Sequence, residues 1–594
     1  MKTVSERLAA LRREMKAAGC DAYILPSSDP HSSEYAPGYY TAWEYFSGFS
    51  VENATLVVTA SKAALWVDGR FFGAADAALK DTGIESMHMG VKGVPEPHEW
   101  LSANLAPESV AGCTAANMPH KTYDELQQKL APSGISLKQF KCDDAAWTED
   151  RPALPATRAW ILDRKYAGAS ISEKLARFRE KAGDCDAAVL TKLDSIAWLL
   201  NLRAADVEDT PYAVAFCLVK AKGAVLFIDS SRLEPAAAEE LKENGVELKP
   251  YEALPASIKR IRKKTNMLVD PRSVNAELYE LITSNANCTV SEKDDPVQML
   301  KAVKNQVEQE NTREAHIIDG AAMVRFQIEL EKRLAAGEKL RETDIDPILH
   351  KYRSAAPLFI EESFPTIAAY GSNAAMMHYA PEKGKDAEIE NKGFLLVDCG
   401  GTYFNGTTDI TRTYAVGPLT DKEKEMYTLT LKSHADVAMA VWREKITGCQ
   451  IDMLARAPFW SRLLDYRCGT GHSVSHVGAV HEGPHSLNSI NKVEFVPGMI
   501  ITDEPGYYEE GAMGIRIENE LLCVPAGESE YGSFTKFEPI TFVPVDMTPV
   551  IAEMLSPEEK AWINAYHAAV YEKISPLLEE SEKEWLKSKC LPIE

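Results

Sequence analysis

The chain has 594 residues, which is enough for about three domains of roughly 100 to 200 residues each. Its formal net charge of −23 repels nucleic acid and anionic membrane surfaces, so we expect peptides or small molecules as its partners. Since no apolar run is long enough to cross a bilayer and the 11 cysteines form no CxxC pair, we expect a cytoplasmic protein with reduced thiols and no signal peptide.

The first half of the chain contains the same helix–strand pattern twice. Residues 8–25 are typical of an amphipathic helix, a glycine stop and an apolar strand, and residues 175–190 repeat that order with the same Cys-Asp-Ala triplet. Residues 64–70 and 225–232 match again, as an apolar strand followed by an aspartate and an arginine at almost the same offset. This repetition predicts a duplicated α/β domain. Two unrelated helix–strand units that share common residue types are the alternative.

Polar segments that contain proline indicate where the domains meet. Residues 148–157 suit a linker, and a second boundary is expected near residues 294–296. After it, residues 301–334 have the pattern of a long charged helix, and residues 420–423 form a capping box that opens another helix. We expect three domains, at residues 1–155, 156–298 and 299–594.

Five residues in the last third of the chain together form a metal-ligand set. They lie at strand ends or in Gly-rich turns, and they are Asp398, Asp409, His472, Glu504 and Glu518. Four carboxylates and one imidazole carry too much negative charge for one pocket, unless some are protonated or two divalent metals neutralise them. We favour two metals, and with them a hydrolase. Because oxygen ligands outnumber nitrogen, Mn²⁺ is preferred, with Co²⁺ or Zn²⁺ as alternatives.

The first two of these acids flank a predicted hairpin. An apolar run ends in Asp398, and a segment that alternates with period two contains Asp409. Asn405-Gly406 between them signals a two-residue turn, but that turn would leave the two acids about 13 Å apart along the strands. We therefore expect a wider or bulged turn centred near Tyr403-Phe404.

In these motifs the chain resembles the pita-bread metallopeptidases, and most closely the long, three-domain Xaa-Pro aminopeptidases. The catalytic motifs are Met377-His-Tyr-Ala-Pro381, Val397-Asp-Cys-Gly400, Gly406-Thr-Thr-Asp-Ile-Thr-Arg-Thr413, Gly469-Thr-Gly-His472, Val480-His-Glu-Gly-Pro484, Thr502-Asp-Glu-Pro-Gly-Tyr-Tyr508 and Gly514-Ile-Arg-Ile-Glu-Asn519. The N-terminal motifs are Pro26-Ser-Ser-Asp-Pro-His31, Phe46-Ser-Gly48, Trp66-Val-Asp-Gly-Arg-Phe71 and Ile196-Ala-Trp-Leu-Leu-Asn-Leu-Arg203. The resemblance therefore runs almost from end to end.

The resemblance implies two creatinase-like α/β domains before a C-terminal pita-bread catalytic domain, in a homodimer. It implies that the five ligands hold two metals, with Asp409 and Glu518 bridging them. A hydroxide that bridges the metals would attack the scissile carbonyl, with Glu504 as general base. His378 and His481 match the family's substrate histidines, which would stabilise the oxyanion or position the proline. The implied reaction releases the N-terminal residue from peptides with proline in the second position.

Three further residues are candidates for supporting the site. Arg516 shares a strand face with Glu518 and is expected to orient ligand carboxylates, with a surface ion pair as the alternative. Tyr508 borders the substrate pocket or is a core tyrosine. Arg70 closes the active-site cleft from the first domain or simply packs. For Trp460, with its neighbour Phe459, we weigh a dimer interface against burial in the catalytic core.

The chain departs from the family pattern at two places. Cys468 stands where the family often has histidine, and residues 472–475 read His-Ser-Val-Ser instead of His-Gly-Val-Gly. The thiol of Cys468 either supports the site or only packs. If the missing imidazole shuttles protons in the family, the turnover or its pH profile differs here.

Other functions compatible with the resemblance are weighed against this one. Prolidase shares the metals but cuts only dipeptides, and the duplicated N-terminal half and the length favour the longer aminopeptidase. Creatinase-like amidinohydrolases share the fold but lack the metal ligands. A non-catalytic pita-bread scaffold that binds peptide or histone tails typically loses ligands, whereas this chain retains all five.

Overall fold

The computed structural model describes residues 2–594, and the chain folds into two compact units. The first unit extends to Val297, except for the short segments Leu162–Gly168 and Asp209–Pro211. These two segments belong with Gln298–Glu594 in the second unit. Within residues 2–594, no helix has both the length and the apolar composition that a membrane crossing requires.

The first sheet of unit one is surrounded by helices and has six strands. The strands are β1 (Ala22–Pro26), β2 (Thr55–Thr59), β3 (Ala63–Val67), β4 (Glu85–His88), β5 (Val110–Cys113) and β6 (Ser136–Gln139). The helices are α1 (Val4–Ala18), α2 (Ala42–Ser47), α3 (Phe72–Ala78), α4 (Pro97–Asn104), α5 (His120–Leu130) and α6 (Cys142–Ala146). A capping box of Thr3 and Glu6 begins α1, and Gly19 ends it with φ 69°, a conformation that glycine adopts without strain.

The second sheet of unit one also has six strands. Two short strands, β7 (Trp160–Ile161) and β9 (Leu202–Arg203), form a separate pair. The six strands of the sheet are, in chain order, β8 (Ala187–Leu190), β10 (Phe216–Lys220), β11 (Ala224–Phe227), β12 (Val246–Lys249), β13 (Thr265–Val269) and β14 (Cys288–Glu292). The helices are α7 (Arg164–Ala167), which belongs to the second unit, α8 (Ile171–Ala182), α9 (Leu193–Leu199), α10 (Pro235–Glu243), α11 (Leu254–Lys259) and α12 (Ala276–Ser284). Helix α13 (Pro296–Ala302) follows.

The two sheets have the same topology, which confirms the predicted duplication. The strand orders are β4-β3-β2-β1-β5-β6 and β12-β11-β10-β8-β13-β14. In each sheet the central strand is antiparallel to the neighbour on one side and parallel to the neighbour on the other. Strands β1 and β8 hold equivalent places, as do β3 and β11, and these are the strands that the repeated sequence pattern predicts.

The second unit contains the remaining strands and the longest helix. Its strands are β15 (Phe359–Glu362), β16 (Ile367–Tyr370), β17 (Phe394–Cys399), β18 (Gly401–Tyr403), β19 (Gly406–Thr407), β20 (Ile410–Ala415), β21 (Val441–Arg443), β22 (Gly471–Ser473), β23 (Glu482–Leu487), β24 (Ile500–Asp503), β25 (Gly506–Glu509), β26 (Met513–Arg516), β27 (Asn519–Ser529) and β28 (Gly532–Pro539). Its helices are α14 (Gln306–Ala335), α15 (Ile345–Arg353), α16 (Asp421–Ala438), α17 (Gly448–Trp460), α18 (Pro557–Ile574) and α19 (Glu580–Lys589).

One apolar core of the second unit is built from both helices and strands. Val324 of α14, Phe394 of β17, Tyr427 of α16, Ile515 of β26 and Ile563 of α18 are all buried in it. The strands of this core include β17 and β26, which end next to predicted metal ligands, so packing of the core fixes where those ligands lie.

Two helix predictions of this unit can be compared directly. The predicted capping box of Thr420 and Glu423 is present at the start of α16. The long helix begins at Gln306 instead of residue 301, because Asn305 caps it and ends the continuity with α13.

Candidate metal centre

The first two predicted ligands lie on one hairpin, but its turn differs from the prediction. Tyr403 pairs with Gly406, so the turn consists of residues 404–405. The turn therefore lies one residue before the Asn405-Gly406 turn that the sequence signals. It also lies one residue after Tyr403-Phe404, so the expected centre is wrong. In this register Asp409 lies two residues from Thr411, which is the partner of Asp398 in the facing strand. The turn is tight, so no wider loop is needed to bring the acids together.

Gly406 is a glycine because of close packing and not because of a turn. A Cβ atom at Gly406 would lie 2.9 Å from the Cβ of Ala315 and 3.2 Å from the Cα of Thr312, both on α14. The glycine is therefore required where the hairpin touches the helix. It is not one of the residues that adopt positive φ among residues 2–594.

The next two ligands are brought together by a second glycine. A Cβ at Gly471 would lie 1.9 Å from the carbonyl oxygen of Thr502, so only glycine lets β22 lie this close to β24. The N–H of His472 donates to the Thr502 hydroxyl at 3.0 Å, and the same hydroxyl donates to the Glu504 carboxylate at 3.2 Å. The Glu504 N–H donates to the carbonyl of Thr470 at 2.8 Å. The segment that leads into His472 is therefore tightly packed against β24.

The fifth ligand, Glu518, is anchored to the strand that follows Asp409. Its N–H donates to the carbonyl of Thr411 at 3.1 Å, and its carboxylate accepts from the Thr411 hydroxyl at 2.7 Å. Period-two alternation places Thr411 on the same face as Asp409, and that signal could have identified this residue, which the sequence argument missed.

Four of the five ligand side chains come close together. The Nε2 atom of His472 lies 3.3 Å from Oδ2 of Asp409 and 3.4 Å from Oε1 of Glu504. Ligand atoms of Asp409, His472 and Glu518 all lie within 4.8 Å of one another. The spacing suits one metal ion touching several of these atoms, or two ions side by side.

The ionisation of these groups shows how strongly the cluster favours added positive charge. Burial, with the charge of Asp398, raises the pKa of Asp409 to about 6, although His472 opposes the rise. Burial and the charges of Asp409 and Glu504 raise the pKa of Glu518 well above its usual value. Burial lowers the pKa of His472, but the hydrogen bond to Asp409 and the charge of Glu504 outweigh burial and raise this pKa to about 9. Without metal, His472 therefore holds a proton at neutral pH, Asp409 binds one as the pH falls towards 6, and Glu518 binds one more readily than an ordinary glutamate. A cation would displace these protons.

Unsatisfied oxygen atoms also fit a metal. Among the described residues, Oδ1 of Asp398 and Oε1 of Glu518 are buried and have no hydrogen-bond partner. A buried carboxylate oxygen without a donor is costly, and coordination of a cation would satisfy it. The residues present thus fit a divalent metal centre.

Arg516 is the cation that already lies in the cluster. Its guanidinium contacts the Asp398 carboxylate and donates to the hydroxyls of Tyr508 at 2.7 Å and Thr411 at 3.1 Å. Arg516 is only 3% exposed, so the alternative of a surface ion pair is wrong. Tyr508 packs partly against the core and partly against this guanidinium.

The two predicted substrate histidines adjoin the cluster in different ways. The ring of His481 meets the ring of His472 edge-to-face, with 4.3 Å between the ring centroids. His378 is half-buried and follows Met377, whose carbonyl accepts from Arg516 at 3.5 Å.

Cys468 packs against the apolar core of the second unit, and its carbonyl accepts from Arg456 at 2.8 Å. Burial, with the charge of Glu504, raises the pKa of its thiol to about 12, so the thiol is neutral. Arg70 lies in the first unit, where its guanidinium contacts Asp68 and Glu52, and its role at the cleft stays a prediction.

Profiles of known families match four parts of the chain. Profiles described as Creatinase/Prolidase N-terminal domain match residues 7–142 and 150–308. The profile described as Metallopeptidase family M24 matches residues 310–525, and the C-terminal region of peptidase M24 matches residues 533–593. The predicted ligands all lie within the M24 match.

Similar proteins match over almost the whole chain. "Probable Xaa-Pro aminopeptidase P" of Laccaria bicolor is 36% identical over 606 residues, covering 99% of this chain and 94% of that protein. Aminopeptidase P2 of Arabidopsis thaliana is 36% identical, covering 99% of this chain and 89% of that protein. The crystal structure of X-prolyl aminopeptidase from Caenorhabditis elegans, described as a cytosolic enzyme with a di-nuclear active site, has a TM-score of 0.94 at 32% identity and covers 100% of both chains. The predicted fold, creatinase-like domains before a pita-bread catalytic domain, is confirmed.

Proposed function

This chain belongs to the Xaa-Pro aminopeptidases of the M24 metallopeptidase family, and we propose that it removes the first residue from peptides whose second residue is proline. The observation that carries the proposal is the convergence of Asp409, His472, Glu504 and Glu518 around one point, with Asp398 held beside them by Arg516. Such a set of ligands has no structural purpose without cations, since the acids repel one another.

We propose that Asp398, Asp409, His472, Glu504 and Glu518 would together hold two divalent metals. Mn²⁺ is the proposed metal, because four of the five ligands are hard oxygen donors. When bound, two divalent cations supply the positive charge that lowers the pKa of a water and polarises the scissile carbonyl. The di-nuclear active site of the Caenorhabditis elegans enzyme supports the proposal of a metal pair in this chain.

The remaining residues receive roles from their positions. Glu504 accepts a hydrogen bond from Thr502 and lies next to His472, so it is placed to take and pass on a proton as general base. His481, which touches the His472 ring, and His378 are proposed to stabilise the developing oxyanion or to position the proline. Arg516 is proposed to orient the Asp398 carboxylate through their direct contact.

Proline explains why a dedicated enzyme is needed. The bond before proline has no N–H, and the ring fixes φ near −65°. An ordinary aminopeptidase that binds this N–H loses that contact, whereas the acids of this site would bind the free α-amino group without it. We propose that Tyr508, beside Arg516, borders the pocket for the ring.

The length of the substrate separates this function from prolidase. The chain matches aminopeptidase relatives over 99% of its own length, including both N-terminal domains. We therefore propose tripeptides and longer peptides as substrates. The non-catalytic scaffold is disfavoured because all five ligands are present, and Asp409, His472 and Glu518 have ligand atoms within 4.8 Å of one another.

Domain organisation and compartment are proposed on similar grounds. We propose domains at residues 1–155, 156–298 and 299–594, supported by the two sheets of the first unit and the separate M24 match. A cytoplasmic location is proposed from the composition and from a relative described as cytosolic.

We also propose that the protein is a homodimer. Helix α17 and the turn after it expose an apolar face in the second unit. Met453 is 55% exposed, Leu454 41%, Trp460 44% and Leu463 96%. Large side chains exposed together in this way are typical of a surface that associates, and Trp460 would be its anchor.

Hydrolysis of a short peptide tests the proposed function. Purified protein, stripped with EDTA and then loaded with Mn²⁺, is expected to release alanine from Ala-Pro-Ala, and the EDTA-treated sample is expected to be inactive. Glu504→Gln should abolish the activity, whereas the matched control Glu509→Gln, on the neighbouring strand β25, should retain it. Cleavage of Ala-Pro alone would indicate prolidase, and no cleavage of either peptide with metal bound would indicate a scaffold.

A further inference from the structure

His472 lies in a short β-ladder, and His481 directly precedes the partner strand of that ladder. Strand β22 pairs antiparallel with β23, with His472 opposite Ser486 and Ser473 opposite Glu482, and the register shifts between the two pairs. Glu482 directly follows His481, so the position of Glu482 fixes where the backbone of His481 lies. Across this irregular ladder the two histidine rings come into contact.

The Glu482 carboxylate at this irregularity is surrounded by four donors. Its Oε1 contacts Nζ of Lys304 and accepts from the hydroxyl of Ser473 at 3.3 Å. Its Oε2 accepts from Nζ of Lys301 at 2.7 Å and from the hydroxyl of Ser475 at 2.9 Å. The side chains of Glu482 and both lysines are at most 2% exposed. A carboxylate has about four lone-pair sites, so each oxygen is fully satisfied.

The two kinds of donor connect Glu482 to different parts of the chain. Lys301 and Lys304 precede helix α14. Burial raises the pKa of Glu482, but the charges of the two lysines outweigh burial and lower this pKa to about 2. The two lysines therefore account for the ionised state of Glu482. Ser473 and Ser475 belong to the segment that begins at His472, so their hydroxyls fasten the carboxylate to the strand that carries a metal ligand.

We propose that Ser473 and Ser475 are positioning residues for catalysis, because their hydroxyls clamp Glu482 and thereby hold His481 against His472. The inference rests on the proposed function, in which His481 acts on the reacting carbonyl or the proline. It gives a purpose to the serines at two places where the resembling family has glycine. Glycine supplies no hydroxyl, so this chain has two more donors on Glu482 than that pattern allows.

Removing the hydroxyls should loosen the ladder without unfolding it. Glu482 would keep both lysines, so its buried charge stays paired. Both serines lie outside the residues with positive φ, so alanine fits their backbone. A small displacement of a group that acts mainly in the transition state lowers kcat and leaves KM nearly unchanged.

Alanine and threonine variants test the inference. Ser475→Ala, which loses the shorter bond, is expected to lower kcat about 5-fold, and the double variant with Ser473→Ala about 10-fold or more. KM for Ala-Pro-Ala and the Mn²⁺ affinity should stay within about 2-fold of wild type. Ser475 is partly exposed, so Ser475→Thr has room for its methyl group and should restore kcat by restoring the hydroxyl.

An independent readout follows the ladder itself. Amide hydrogen exchange in residues 482–487, measured by mass spectrometry on the metal-loaded full chain, should be faster in the alanine variants and normal in Ser475→Thr. The matched control is Ser47→Ala, which removes a buried hydroxyl that bonds to the carbonyl of Phe49 in the first unit. It should leave both kcat and the exchange of residues 482–487 unchanged.

The outcomes separate this inference from the function on which it rests. Wild-type protein that cleaves no Xaa-Pro peptide would overturn both. Active wild type together with a double alanine variant whose kcat is within 2-fold of it would overturn the positioning role alone. A lower kcat explained by weaker Mn²⁺ binding, or one that Ser475→Thr fails to restore, would overturn it as well.

Discussion

Metal binding to this site should release protons, because the metal-free acids and imidazole hold protons that a cation displaces. The pKa of His472 is about 9, so at pH 7.5 its imidazole is almost fully protonated without metal. The pKa of Glu518 is raised well above its usual value by burial and by the neighbouring acids. The pKa of Asp409 is about 6, so this group is nearly ionised at pH 7.5 and about half protonated at pH 6.

The expected number follows from these values. Loading with metal at pH 7.5 should release about one proton from His472, together with the fraction of a proton that Glu518 still holds. Loading at pH 6 should release about half a proton more, from Asp409. The sign is fixed, since protonated ligands compete with the metal and binding weakens as pH falls. One released proton corresponds to a tenfold loss of affinity for each pH unit. Any proton lost by water in the site would add to the number.

Calorimetry measures this release directly. The heat of Mn²⁺ binding, recorded in buffers with different ionisation enthalpies, varies linearly with those enthalpies, and the slope is the number of protons released. His88→Gln, which changes a histidine of the first unit, should leave the slope unaltered. A heat that does not depend on the buffer at pH 7.5, with equal affinity at pH 6.5 and 7.5, would refute the reasoning.

Three substitutions test other parts of the site and the assembly. Arg516→Met leaves the buried Asp398 carboxylate without its cation. In metal-free protein this should lower the free energy of unfolding, measured by urea denaturation, by about 3 to 5 kcal/mol. A loss below about 1 kcal/mol would contradict the buried pairing. Trp460→Glu should convert the dimer to a monomer in light scattering, whereas Ile490→Glu, an exposed residue outside α17, should not; a wild-type monomer would refute the proposed dimer. Cys468→His should keep or raise kcat, because the neutral thiol packs against the apolar core, and a large loss would show that the thiol is required.

The ligand strands and the duplication could be predicted from sequence because they depend on local patterns. Apolar runs that end in acids located Asp398 and Glu504 at strand ends, and the repeated helix–strand pattern located equivalent strands of two equivalent sheets. The face of a strand is equally local, since alternation alone places Arg516 beside Glu518. Each strand end, strand face and helix–strand unit is determined by residues within one short segment of the chain.

What the sequence did not reveal depends on contacts between distant segments. Gly406 has the appearance of a turn glycine, but it is needed because α14, about 90 residues earlier, touches the hairpin. Glu482 has the appearance of a solvated acid in a motif, yet its partners Lys301 and Lys304 come from the segment before that helix. Nothing in the local pattern of either residue indicates such a neighbour.

The charge balance of the site gives a last test, the number of metals. Four ligand carboxylates contribute four negative charges and Arg516 contributes one positive charge, which leaves three negative charges when His472 is neutral as a ligand. One divalent cation would leave the buried site with one excess negative charge, which opposes the oxyanion that forms in the reaction. Two divalent cations leave one positive charge, which stabilises it. We therefore expect two equivalents of Mn²⁺ per chain in fully active protein, measured by elemental analysis after gel filtration. Full activity at a single equivalent, with no gain from a second, would show that this balance is wrong.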